Sequence, residues 1–141
     1  MTTVDADPHV AAVIDMLATG LPATVTVYDG DVPSTPGQTY VVLYPDPGWR
    51  ERSSLVVASD HLTLAFQVTC VGTSAVQTRQ VCDHVCGALI DRTPVVTGRQ
   101  CGHISQDQGM PDIARDPTTR DPVIDRPRFW LTPRFRFTST T

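Results

Sequence analysis

The sequence contains no lysine: all eleven basic residues are arginine, and a single glutamate, Glu51, stands against fourteen aspartates. That bias is typical of GC-rich coding sequence and bears little on chemistry. No apolar run approaches the ~18 residues that a membrane-spanning helix needs. A basic domain is missing too. The formal net charge of −4 and a pI of about 5.4 argue against a dedicated nucleic-acid binder. The short motifs of serine hydrolases, zinc proteases and nucleotide-binding loops are absent, so His9, His61, His84 and His103 each stand alone in sequence. The opening residues, MTTVDADPHV, carry acids where an export signal would carry basic residues, so export is not expected. In that setting the four cysteines read as reduced thiols rather than a disulfide framework. A chain of 141 residues is one domain's worth, able to bury roughly two-thirds of the surface its unfolded form exposes.

What is present predicts an α+β order. Asp7 is a suitable N-cap and Pro8 a suitable first helical residue. Val10, Val13, Ile14, Leu17 and Leu21 then repeat at helical spacing until Gly20 and Pro22 end the element. Thr24 to Tyr28 alternates as a strand, closed by the Asp29-Gly30 turn signal. The run YVVLY, Tyr40 to Tyr44, is apolar throughout, which suits a strand covered on both faces. PDPGWRERS reads as a loop and SLVVA, Ser54 to Ala58, as a short strand. Leu62, Leu64, Phe66, Val68 and Cys70 alternate with Thr63, Ala65, Gln67 and Thr69, the clearest strand in the chain.

The next element holds Cys82 and Cys86. Ser74 and Gln77 have capping-box spacing, which starts a helix near Ala75. At about 100° per residue, Cys82, Val85, Cys86 and Leu89 share one face, while His84 points about 160° away from Cys82. A zinc site would need Cys82 and Cys86 joined by outside ligands such as Cys101 and His103, which fall in one short predicted strand over Arg99 to Ser105 and are expected to face the same way. The bland alternative is that the sulfurs pack as small hydrophobes in a Val/Leu stripe. The packing reading is preferred, with a small zinc-dependent enzyme or zinc-stabilised binding module as the rival.

From Asp91 to Pro127 the texture turns to Asp, Pro, Gly and Thr, and a long loop is expected around residues 106–126. Asp107, Asp112, Asp116, Asp121 and Asp125 recur there without the spacing of a calcium loop. In the final strand Phe129, Leu131, Phe135 and Phe137 face one way, and Arg128, Trp130, Thr132, Arg134 and Arg136 the other. Pro133 mid-run predicts a bulge or a sheet edge. The arginine face reads as solvated or subunit-facing, or else as a phosphate-binding stripe with Trp130. In the loop at 45–53, Trp49 either folds back on its own domain or anchors a protein contact with Arg50, Trp and Arg being the residue types most enriched at binding hot spots. The candidate contact residues are therefore Trp49, Arg50, Arg52, Trp130, Arg134 and Arg136. No catalytic, cofactor or metal residue is assigned.

The succession of helix, LPATVTVYDGDVP, YVVLYPDPG, LTLAFQVTCVG, helix, GRQCGHI and aromatic C-terminal strand resembles the tail terminator proteins of long-tailed, siphovirus-type bacteriophages, most of all those of actinobacterial hosts. FQVTCVG running into a helix is its most specific part. The resemblance covers nearly the whole chain, as a single domain over 1–141. It implies a small mixed, mostly antiparallel sheet flanked by two helices. It also implies a homohexameric ring that caps the major tail tube protein and joins the head through connector or neck proteins. Such a protein is assembled in the host cytoplasm, resides in the virion neck and has no catalytic residues, cofactor or membrane partner. Viral DNA would pass its bore without specific binding, and the acidic balance suits that, since phosphate contacts would slow transit. Another neck component of the same particle, a connector or head-completion protein, fits the same features.

Overall fold

The computed structural model describes residues 4–52, 60–108, 113–120 and 126–141. In chain order the elements are α1 (Asp7–Gly20), β1 (Thr26–Asp29), β2 (Tyr40–Pro45), β3 (Trp49–Glu51), β4 (His61–Gly72), α2 (Ala75–Leu89), β5 (Gln100–Cys101), β6 (Ser105–Asp107), β7 (Ala114–Arg120), β8 (Pro127–Leu131) and β9 (Arg134–Thr140). The fold is α+β, a mixed and mostly antiparallel sheet with two helices. Among the described residues the one parallel pair is β1 with β2, and every other pairing is antiparallel.

The long alternating run becomes the spine. On one side β4 pairs with β2 and β3, on the other with β8 and β9. Its even-numbered residues Leu62 to Cys70 are buried, and its odd-numbered residues Thr63 to Thr69 are only partly covered. The buried set packs against Val10, Val13 and Leu17 of α1 and Val81, Val85 and Leu89 of α2, so both helices lie on the same face of the sheet. The opposite face carries no helix among the described residues.

The start of α1 differs slightly from the sequence expectation, while that of α2 matches it. Asp7 is the first residue of α1 rather than its cap; Ala6 holds that place without a side-chain hydrogen bond. The Asp7 carboxylate still sits at the positive end of the helix dipole. For α2 the cap is as expected, with Ser74 Oγ accepting from the Gln77 amide at 3.1 Å. The Gln77 side chain reaches back to the amide of Thr73 at 2.8 Å, one residue earlier than in the usual box.

Of the run YVVLY, Tyr40 to Leu43 are covered on both faces, as expected, while Tyr44 at its end is exposed. Val41 and Leu43 join the helix-side core, while Tyr40 and Val42 pack with Val71, Tyr28 and Trp130 on the other side.

Three sequence expectations need correction. The loop PDPGWRERS contains the short strand β3, because Gly48 (φ +85°) turns the chain back against Leu62. The expected loop around 106–126 carries β6 and β7, polar strands that pair with β9 and β8 and whose composition hides them. Pro133 marks neither an edge nor a bulge. The register with β4 is the same through β8 and β9, and the Val68 amide donates to the Pro133 carbonyl at 3.0 Å between them. The expected strand at Ser54–Ala58 lies outside the described residues.

Candidate functional site

Residues directly opposite one another on paired strands share a face. Trp49 pairs with Thr63, Arg136 with Ala65, Arg134 with Gln67 and Trp130 with Val71. Four of the six candidate contact residues therefore lie on the helix-free face. At its two ends this face differs in character.

At one end it is polar and open. Trp49 is 66% exposed, the most exposed aromatic side chain described, and its indole Nε1 donates to Glu51 Oε1 at 2.9 Å. Arg134 is exposed, and Arg136 Nε donates to both carboxylate oxygens of Asp107 at 2.9 and 2.8 Å. These arginines and Asp107 line a shallow polar depression with Thr63, Ala65 and Gln108.

At the other end the face is closed. Arg128 is buried, with its guanidinium carbon 5.3 Å from the centroid of the Tyr40 ring and Nη1 donating to Gly37 O at 3.2 Å. Tyr28 meets Tyr40 edge to face at 5.8 Å. Burial raises the Tyr40 phenol above its ordinary pKa, and the Arg128 charge pulls the other way. Trp130 is half-buried here and packs against this cluster.

Arg50 and Arg52 do not join the four. Arg50 pairs with Leu62 on the helix side, where its Nε donates to Val4 O at 2.8 Å and Nη1 to Pro47 O at 3.0 Å. Its donors fasten the loop and the N-terminal segment of its own chain. Arg52 is exposed, just past the end of β3.

The cysteines group differently from the zinc alternative. Cys82 neighbours Cys70 on β4 and Cys86 one turn further along its own helix. The Cys82 thiol is pushed up to about 12, mainly by neighbouring Cys70, and Cys86 is raised by Cys82 and by burial. A raised thiol pKa is the reverse of what a redox nucleophile needs. Cys101 pairs with Ser139, in register with Leu62 at the far end of β4 from Cys70. Cys101 and His103 also fail to face the same way. Cys101 and Ser105 are four positions apart while their partners Ser139 and Arg136 are three apart, so the strand carries one extra residue between them. Cys101 packs toward the core, and His103 is exposed with Nδ1 2.7 Å from Thr93 Oγ1. Among the described residues no three His, Cys, Asp or Glu side chains are placed to hold a metal. Of the recurring aspartates, Asp107 is paired with Arg136, and Asp112, Asp121 and Asp125 lie outside the described residues.

One arrangement was invisible in sequence. His9, 1% exposed, places Nε2 2.7 Å from Ser139 Oγ, 130 positions away, and Nδ1 2.8 Å from the Asp5 carbonyl. Arg99 Nε donates to the same hydroxyl at 2.9 Å, and its Nη2 donates to the carbonyls of Asp60 and Ser139. This is the spacing of a nucleophile and its base. Ser139 is also 1% exposed, so no substrate reaches it in this conformation. No local motif surrounds His9, and only the tertiary fold brings the pair together.

No family model matches the sequence, and no curated protein matches it either. Solved structures do share the fold. A chain from the structure described as "Virion of native gene transfer agent (GTA) particle" aligns with TM-score 0.63 and 19% identity, over 97% of this chain and 99% of that one. A second solved structure aligns with TM-score 0.61 and 17% identity, over 98% and 97% of the two chains. At these identities the likeness is one of fold.

Proposed function

We propose that this chain is a structural subunit of a phage-type virion. In this reading it is a tail terminator that closes as a hexameric ring on the last ring of tail-tube protein, stops tube growth and presents the surface to which the filled head joins. The observation that carries the reading is the end-to-end likeness of fold to a chain of a gene transfer agent virion, with neither chain left with an unmatched domain. The sequence phrases that resemble tail terminators point the same way. Such a subunit works by contact and needs no catalytic residue, and the largest exposed aromatic, Trp49, sits beside arginines on a sheet face left free of helices. No described helix is long and apolar enough to cross a membrane. The ring is assembled in the host cytoplasm and resides in the virion neck. Its contacts there are other copies of itself, the tube and the neck proteins, while DNA passes through the bore.

A ring interface is heterologous, one patch meeting a different patch on the next subunit. The test is tube polymerisation with and without this protein, followed by electron microscopy. The expected result is tubes of limited length, each ending in a sixfold ring that a labelled copy of this chain marks. Threefold or twelvefold symmetry at that layer would contradict the assignment. Label found on the head side of the neck, with tube length unaffected, would instead favour a connector or head-completion protein.

A further inference from the structure

The His9 network has a direction fixed by its end groups. The Asp5 carbonyl can only accept, so His9 Nδ1 carries the proton and Nε2 is left as an acceptor. The Ser139 hydroxyl must then donate to Nε2, and it accepts in turn from Arg99 Nε. Only neutral imidazole in one tautomer satisfies every member.

Protonating that ring is opposed from each side. Its own helix contributes the positive end of the α1 dipole, since His9 lies in the first turn. The segment before β5 presents the Arg99 guanidinium, and β3 presents that of Arg50. β9 offers the Ser139 hydroxyl and the Phe137 ring at 6.1 Å, neither of which can balance a new positive charge. Burial, the largest influence, and the two arginines lower the imidazole's affinity for a proton, against a smaller opposing effect from the Asp5 carbonyl. A protonated Nε2 would also become a donor facing a hydroxyl that already donates to it.

The network joins distant parts of the chain. His9 binds the start of α1 to the end of β9, Arg99 extends the tie to the start of β4, and Arg50 holds Val4 nearby. We propose that the His9–Ser139 hydrogen bond is an acid-released latch that holds the first turn of α1 against the C-terminal strand and lets it go when His9 takes up a proton.

The sign follows from linkage. A histidine whose native pKa lies below its unfolded value leaves the latch fully closed above about pH 6.5 and loosens it as pH falls toward the native pKa. One proton taken up on opening lowers the closed-to-open ratio by up to tenfold per pH unit in that window.

The test is amide hydrogen exchange on the full chain between about pH 7.5 and 5, corrected for the intrinsic rate. The amides of His9 and Val10, both bonded to Ala6 O, report the latch, and those of Val13 and Leu17 report the rest of α1. Protection of the first pair should fall relative to the second on acidification, and His9→Gln, which cannot titrate, should abolish that pH dependence. A second measurement needs no variant. In the unaltered protein, imidazole NMR should show the Nδ1–H tautomer for His9 and a titration midpoint below ~6.5. Level protection across the range, persistent pH dependence in His9→Gln, or a His9 midpoint at or above that value would each overturn the latch.

Discussion

Pro133 stands opposite Val68 in the interior of the sheet, accepting its N–H at 3.0 Å and returning no donor. In an antiparallel ladder such a pair exchanges two hydrogen bonds, so the proline leaves the Val68 carbonyl without its strand partner. The thiol of Cys70 donates to it instead, at 3.7 Å. Cys70 also packs in the core beside Cys82. Cys70→Ala should therefore cost about 2 kcal/mol, from lost packing plus an unpaired carbonyl. Cys82→Ala and Cys86→Ala, at half-buried sites, should cost ~1 kcal/mol each. Because Cys70 and Cys82 touch, the double mutant should lose less than the sum, by ~0.5 kcal/mol or more in urea unfolding. One equivalent of zinc in the purified parent would defeat this packing account.

Gly20 ends α1 where it crosses α2. A Cβ there would lie 2.6 Å from the Ala88 Cβ, well inside contact distance. Gly20→Ala should separate the helices and destabilise by about 1–3 kcal/mol, against a helix-propensity gain of at most ~1. Adding Ala88→Gly should restore most of the loss. A single mutant as stable as the parent would mean the crossing has room that the geometry denies.

Arg128 closes the aromatic end of the open face. Arg128→Ala removes its bond to Gly37 O, its contact with the Tyr40 ring and its buried stem, and should cost ~2–3 kcal/mol in thermal unfolding. Arg128→Lys keeps the charge but not the planar fork, so it should recover only part. Full recovery by lysine would show that charge alone holds the site.

The elements that feed the core were legible in the sequence. Period-two burial in β4, the Ser74 cap of α2 and the doubly covered Tyr40–Val42 follow from side-chain patterns that water enforces. The polar strands β6 and β7 were not, because backbone pairing with β9 and β8 extends the sheet through sequences that carry no apolar periodicity. Sequence could nominate Trp49, Trp130, Arg134 and Arg136, yet only strand register shows that they share one face. It could not separate Arg50 from them, since the Val4 carbonyl that Arg50 serves lies 46 positions away. The His9–Ser139 pair spans nearly the whole chain, and no local pattern encodes it.

Trp49 decides between a surface ornament and a contact. The structure already removes the reading in which it folds into its own core: the ring is 66% exposed and its one described hydrogen bond is to exposed Glu51. Trp49→Ala should therefore change the stability of the isolated chain by no more than ~0.5 kcal/mol, the usual range for surface substitutions. A tryptophan held on a strand brings large contact area with few rotatable bonds to fix, and tryptophan is enriched at binding hot spots. If the open face meets a neighbour or the tube, the same substitution should abolish tail termination and give tubes of uncontrolled length. Arg134→Glu, a charge reversal on the same face, should weaken termination as well. Two outcomes would remove Trp49 from the interface: a destabilised chain that still terminates tails, or an unaltered chain that terminates them normally.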